Sequence, residues 1–258
     1  MHKSLSTILS FFVLLLSTAQ FNANACELCP VIQKNKPSIV GVGVQTPLAS
    51  PSNVLSGTGF VVANGQYVIT NYHVVSDPLD DNVVQNRVVF SGTGKRPDII
   101  QAEIIDIDKA HDLALLKIAK ALPALPLAER EFRSEGNQIL ITGFPIGAVI
   151  GLYPATHRGI IAAIAPDVIP TNNSKQLDIA MLSRLRSPFE VYQLDITAFP
   201  GNSGSPMYAV SDGKVVGVIN KVLVSGGREA ALSTPSGITY AIPIKHVYDL
   251  LNKNNVAL

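Results

Sequence analysis

Residues 199–206 read Phe-Pro-Gly-Asn-Ser-Gly-Ser-Pro, which sets the hydroxyl of Ser203 between Gly201 and Gly204. A serine hydroxyl is a poor nucleophile near neutrality. To attack an acyl group it needs a base within hydrogen-bond reach and donors for the oxyanion that its attack creates. Flanking glycines serve both needs, because a residue without Cβ can turn its N–H toward a substrate and allow close approach. Taken alone, Gly-Asn-Ser-Gly also reads as an ordinary tight turn. Of the five histidines, His2 lies in the leader-like N-terminus, which leaves the imidazoles of His73, His111, His157 and His246. His73 follows the β-like run Gln66–Thr70, a place from which its ring would face a cleft. Asp112 stands just before Leu-Ala-Leu-Leu-Lys-Ile (113–118), where a carboxylate can be buried against an imidazole. Singly, a histidine or aspartate so placed is more often structural than catalytic.

These residues need a scaffold, and the sequence supplies short β-branched runs punctuated by Gly, Pro, Asn and Asp. Six lie at 38–45, 59–63, 66–70, 87–90, 102–107 and 113–118, and six more at 138–144, 159–164, 191–197, 206–210, 214–219 and 238–243. Even spacing of short strands predicts an all-β protein, and the charged, proline-containing stretch 121–135 suits a connector between two halves. The expectation is two six-stranded antiparallel barrels, at about 38–120 and 136–245. One helix is predicted near the C-terminus, where Val247, Leu250 and Leu251 recur at i, i+3 and i+4 after Pro243. Residues 165–190 form a connection far longer than the roughly 2–6 residues usual between strands, and loops of that length are either functional or disordered.

With 20 Lys and Arg against 19 Asp and Glu and no long run of one sign, the chain lacks the footprint of a nucleic-acid binder. Lys3, the apolar run 8–16 and Ala23-Asn24-Ala25 together predict an export signal over residues 1–25, with a mature chain from Cys26 that is periplasmic or secreted. The apolar run is too short for a membrane span, which needs about 20 residues. Cys26 and Cys29 suit a disulfide, local or between chains, better than a redox centre, since the setting after an export signal and before Pro30 is not that of a redox helix. A lipid on Cys26 is disfavoured by Ala23 where a lipobox has a bulky aliphatic residue. Two cysteines cannot complete a four-ligand zinc site, and no metal or cofactor is expected.

Gly-Thr-Gly-Phe-Val-Val (57–62), Thr-Asn-Tyr-His-Val-Val (70–75), His-Asp-Leu-Ala-Leu-Leu-Lys-Ile (111–118), Gly-Phe-Pro-Ile-Gly (143–147), Pro-Gly-Asn-Ser-Gly-Ser-Pro (200–206), Val-Val-Gly-Val-Ile-Asn (215–220) and Ile-Thr-Tyr-Ala-Ile-Pro (238–243) occur in an order that resembles trypsin-like serine proteases of the Deg/HtrA type. The resemblance spans about residues 38–250. It implies a double β-barrel with the site in the cleft between barrels, His73 as general base, Asp112 as its orienting carboxylate and Ser203 as nucleophile. The N–H groups of Gly201 and Ser203 would form the oxyanion hole, and polypeptides would be the substrates. Asn202 stands where digestive relatives pair an aspartate with a new N-terminus, so the loop at 165–190 is the expected source of order. Peptide would pair with the strand edge Asn220–Val222, with Thr197, Ala198, Val222 and Ile238 lining a small apolar pocket. Ser205, where the family usually has glycine, is shared with glutamyl endopeptidases, which keeps glutamate specificity open. A protease fold retained as a binding or chaperone module is the non-enzymatic alternative. An α/β-hydrolase elbow, Gly-x-Ser-x-Gly, fails at Ser205 and would leave only His246 after the serine.

Overall fold

The computed structural model describes residues 26–145, 151–167, 188–222 and 238–258, with only the backbone described at 221–222. The expected export signal and most of the long loop, 168–187, lie outside the described residues. Twelve strands are present: β1 Ile39–Gln45, β2 Asn53–Val62, β3 Tyr67–Asn71, β4 Asn86–Ser91, β5 Asp98–Asp108, β6 Leu113–Ile118, β7 Gln138–Gly143, β8 Ala155–Pro166, β9 Glu190–Asp195, β10 Pro206–Ala209, β11 Val215–Val222 and β12 Ile238–Pro243. Each of the twelve apolar runs falls on its own strand. β1 to β6 close into one antiparallel barrel in the order β1-β2-β3-β6-β5-β4, and β7 to β12 into another in the order β10-β11-β12-β9-β8-β7.

Runs such as 113–118, interrupted only by the exposed Lys117, are apolar because most of both faces is buried. Val40, Val42, Val61, Val68, Val89, Ala114, Leu116 and Ile118, alternating along their strands, form a cluster drawn from the first barrel and the turns against it. The intervening residues Ile39, Phe60, Val62, Ile69, Phe90, Leu113 and Leu115 pack instead with Val215, Val218 and Ile242 of the second barrel. A third cluster, including Ile139, Ile141, Tyr192, Leu194, Met207 and Val216, fills the second barrel. The connector is laced to both sides: Leu125 N–H donates to the Val61 carbonyl, and Ala128 N–H to that of Val215.

The helices are α1 Cys29–Asn35, followed by a 3-10 turn at Lys36–Ser38, α2 Tyr72–Val75, and α3 Ile244–Lys253. α3 is the expected C-terminal helix. α1 and α2 were not expected from the sequence; β-branched Val74 and Val75 suggest a strand, but both are buried in the first-barrel cluster by a single helical turn. Cys26 and Cys29 are joined in a disulfide. No described helix is long and apolar enough to cross a membrane.

Candidate active site

β3 ends at Asn71 and the chain turns directly into α2, which carries His73 as its second residue. Its Nδ1 lies 2.6 Å from Asp112 Oδ2, and its backbone N–H donates to Asp112 Oδ1 at 2.9 Å. One residue thus engages both carboxylate oxygens, which orients the imidazole and leaves Nε2 as its free nitrogen. Asp112 is buried while the His73 side chain is 45% exposed, so the pair presents its basic end to solvent and keeps its acidic end covered. Asp112 has φ +53°, a conformation that costs a non-glycine residue about 1 kcal/mol. Its carbonyl is held by two donors, Asn71 Nδ2 at 3.0 Å and Tyr72 N–H at 3.1 Å.

Ser203 sits in a loop whose turns depend on its glycines. Phe199, Pro200, Gly201 and Asn202 form a β-turn closed by Asn202 N–H donating to the Phe199 carbonyl at 3.0 Å. Gly201 at its third position has φ +99°, the pattern of a type II turn with Pro at the second position. Gly204 follows at φ +83°, and a Cβ there would stand 2.1 Å from the Thr58 carbonyl oxygen. Among the described residues, the N–H groups of Gly201 and Ser203 have no hydrogen-bond acceptor, which leaves both available to an anion. The Ser203 hydroxyl donates to the carbonyl of Asn220 at 3.3 Å rather than to His73. Asn220 lies where the β11–β12 register shifts.

The other expected binding residues are less concentrated. Thr197 lines an open hollow of about 530 Å³ with Gln138, Arg158, Gly159, Ile160, Asp195 and Ile196. Neither Ala198, Asn220 nor Ile238 lines that hollow. Ala198 is buried with the second-barrel core, and Ile238 is 40% exposed. The side chain of Val222 lies outside the described residues. β10 pairs with β11 only as far as Val218, so Asn220–Val222 extend beyond that partner strand. Ser205 is fully buried, and its hydroxyl occupies the space that a Cβ on Gly143 would take, 2.0 Å from it. The serine therefore fills a gap opened by a glycine on the neighbouring strand.

Two histidines outside this site meet each other. His111 and His246, the latter on α3, stack with centroids 3.7 Å apart, Phe189 stands edge-on to both, and Asp108 Oδ2 lies 2.6 Å from His111 Nδ1. Burial, followed by repulsion from His111 and Lys245, pushes the His246 imidazole down to about 4. His157 lies beside Phe199 with its Nε2 buried, and burial lowers its basicity too.

Sequence reasoning assigned no roles to Thr58, Asn71 or the Asn220 carbonyl. Thr58 and Asn71 lie inside motifs quoted for their order, Gly-Thr-Gly-Phe and Thr-Asn-Tyr-His, yet their partners are main-chain groups far along the chain.

The profile of the trypsin-like peptidase domain matches residues 57–218. A "Probable periplasmic serine endoprotease DegP-like" of Pseudomonas putida (strain W619) is 29% identical over 198 residues, covering 76% of this chain and 34% of that protein. A protein of the same name from Chlamydia muridarum (strain MoPn / Nigg) is 32% identical over 212 residues, covering 80% and 36% respectively. The chain thus spans about a third of the length of these curated relatives. Among solved structures, the active form of the Rv3671c protease from M. tuberculosis superposes with a TM-score of 0.64 at 20% identity, covering 89% of this chain and 86% of that one. With the double barrel, the His73–Asp112 pair and the Ser203 loop in place, the domain match settles the family: the chain belongs to the trypsin-like peptidases.

Proposed function

We propose that this protein is an exported serine endopeptidase that hydrolyses extended or unfolded polypeptides through Ser203, His73 and Asp112. The observation that carries the reading is the His73–Asp112 hydrogen bond of 2.6 Å, taken together with a serine loop whose Gly201 and Ser203 amides have no acceptor among the described residues. The export assignment rests on the leader-like residues 1–25 and on relatives named periplasmic.

In the proposed reaction, the Ser203 hydroxyl leaves the Asn220 carbonyl and turns to His73. Its Oγ bonds to the scissile carbonyl carbon as its proton passes to His73 Nε2, and the carbonyl electron pair moves onto oxygen between the N–H groups of Gly201 and Ser203. Collapse of this intermediate breaks the C–N bond, and the His73 proton goes to the leaving amine. Water then repeats the sequence on the acyl-enzyme, releasing the acid and returning the proton to Ser203. Asp112 holds the ring in the required tautomer and stabilises the imidazolium, without itself taking the proton. No step calls for a metal or cofactor.

Substrate binding is proposed as main-chain pairing along Asn220–Val222, which favours extended segments over folded ones. Thr197 offers a cationic side chain no counter-charge, and Val222 and Ile238 would narrow the pocket, so cleavage after Val, Ala, Ile or Thr is expected. Ser205 speaks little for glutamate specificity, since it is buried against Gly143. The test is labelling with a fluorophosphonate and hydrolysis of denatured casein, each compared with Ser203→Ala. Equal hydrolysis by the variant overturns the mechanism. Profiling the cut sites in a denatured protein mixture tests selectivity: dominant cutting after Glu refutes the small apolar pocket, and dominant cutting after Lys or Arg refutes the placement of Thr197 at its base.

A further inference from the structure

The proposed oxyanion hole belongs to a loop of the second barrel, yet its most complete set of polar contacts is to one residue of the first. Thr58, on β2, is fully buried. Its hydroxyl donates to the Gly201 carbonyl at 2.7 Å and accepts from the Phe144 N–H at 3.0 Å, so both functions of that oxygen are used. Its backbone N–H donates to the Ser203 carbonyl at 2.9 Å, and its own carbonyl accepts from the Thr70 hydroxyl at 2.7 Å. Thr58 therefore grips the carbonyl of each residue whose amide would face the oxyanion. Asn202, between them, is buried, and its carboxamide has no hydrogen-bond partner among the described residues. The side chain at that position therefore supplies no polar anchor, and the main chain on either side is tied to the neighbouring barrel.

We infer that Thr58 is a positioning residue that orders the oxyanion hole, its hydroxyl holding the Gly201 end of the loop while its backbone holds the Ser203 end. This rests on the reading of Ser203 as nucleophile. Because the hydroxyl never reaches substrate, its removal acts on the placement of the Gly201 N–H. Losing one oxyanion donor outright costs roughly 10²–10³ in turnover, and a displacement of about 1 Å costs up to roughly 10².

The test compares wild type, Thr58→Val, Thr58→Ser and Ser203→Ala on a chromogenic peptide, with a peptide boronate as the tetrahedral mimic. Thr58→Val keeps the shape and the backbone bond but deletes the hydroxyl. Its kcat is expected to fall about 10- to 100-fold with KM within about threefold, boronate affinity falling in parallel with kcat. Thr58→Ser, which restores the hydroxyl, is expected within about threefold of wild type in both. Unchanged kcat in Thr58→Val, a loss shared equally by Thr58→Ser, or a loss confined to KM overturns the inference. Should Thr58→Val fail to fold, the double variant Gly143→Ala with Ser205→Gly replaces it. The new Cβ would stand 2.9 Å from both Thr58 Oγ1 and Asn202 Oδ1, with the nearest obstruction, Ser205 Oγ, removed. A selective fall in kcat supports the inference there, and wild-type kcat refutes it. Absence of Ser203-dependent hydrolysis in the wild type would instead remove the underlying mechanism, an outcome distinct from normal hydrolysis that ignores Thr58.

Discussion

Replacing Gly204 by alanine separates two costs that usually arrive together. The residue has φ +83°, which alone disfavours a side chain by about 1–2 kcal/mol. The added Cβ would also meet the Thr58 carbonyl oxygen at 2.1 Å, Thr70 Oγ1 at 2.4 Å and Asn71 N at 3.2 Å. Two of these atoms are backbone, so the loop itself must move, a kind of overpacking that costs about 1–3 kcal/mol. Displacing the Thr70 hydroxyl from the Thr58 carbonyl removes a buried hydrogen bond, for about 1 kcal/mol more. The expected loss is about 3–6 kcal/mol. Gly92 provides the control: its φ is +91°, but a Cβ there meets nothing within 4 Å, so Gly92→Ala should cost only the conformational part, about 1–2 kcal/mol. Urea denaturation of both variants in a Ser203→Ala background, which prevents self-digestion, measures the difference. If the two losses agree within about 0.5 kcal/mol, the packing of β2 beneath the serine loop has been misjudged.

Asp112→Asn should fold normally, since asparagine tolerates the positive φ found there, yet lose about 10⁴ in turnover on a peptide substrate; near-normal turnover would argue against an orienting role for the carboxylate. For pH, the unfolded chain takes a proton on His246 near the reference value of about 6.5, whereas the folded protein resists until about 4. The folded state is therefore progressively disfavoured as pH falls through that window, with no contribution above it. His246→Phe keeps an aromatic ring against His111 but cannot be protonated, so urea midpoints should depend less on pH between 6.5 and 4 than in wild type; parallel curves would exclude His246 as the source. In the second barrel, Thr142 Oγ1 bonds both the Tyr208 hydroxyl at 2.7 Å and Thr156 Oγ1 at 2.8 Å. Tyr208→Phe should cost about 1 kcal/mol and Thr142→Val about twice that, because the second change removes both of these hydrogen bonds and the first only one; the reverse order by denaturation would contradict the network.

The barrels were legible because their strands carry apolar residues on both faces, and a run such as 113–118 keeps its signature wherever it lands. Strand ends were less so. β2 begins at Asn53 and β5 at Asp98, well before their apolar runs, since these arms are largely exposed and the pattern there is set by pairing rather than by burial. The turn of helix at Tyr72–Val75 was hidden because its valines favour a strand locally and are overruled by packing against the first barrel. In the site, His73, Asp112 and Ser203 advertise themselves by residue type and order. Thr58 and Asn71 do not, because what they hold is backbone: the Gly201 carbonyl lies 143 positions from Thr58, and no side-chain pattern encodes which carbonyl will arrive there. The resting bond from Ser203 to Asn220 was equally unreadable, as it depends on where β11 shifts its register.

The C-terminal helix has a consequence in time. α3 follows the last strand of the second barrel, but Val247, Leu250, Leu251 and Val256 pack in a cluster with Ile39, Phe60 and Phe90 of the first, while Asn254 and Lys253 both reach Asp106 on β5 at 2.8 Å. During synthesis the first barrel emerges early and must wait with one apolar face uncovered until residues 244–256 appear. Its completion is thus deferred until the second barrel is present, so a folding factor that shields the early half has something definite to cover, and a nascent chain halted before Ile244 should present its vulnerable surface on the barrel made first.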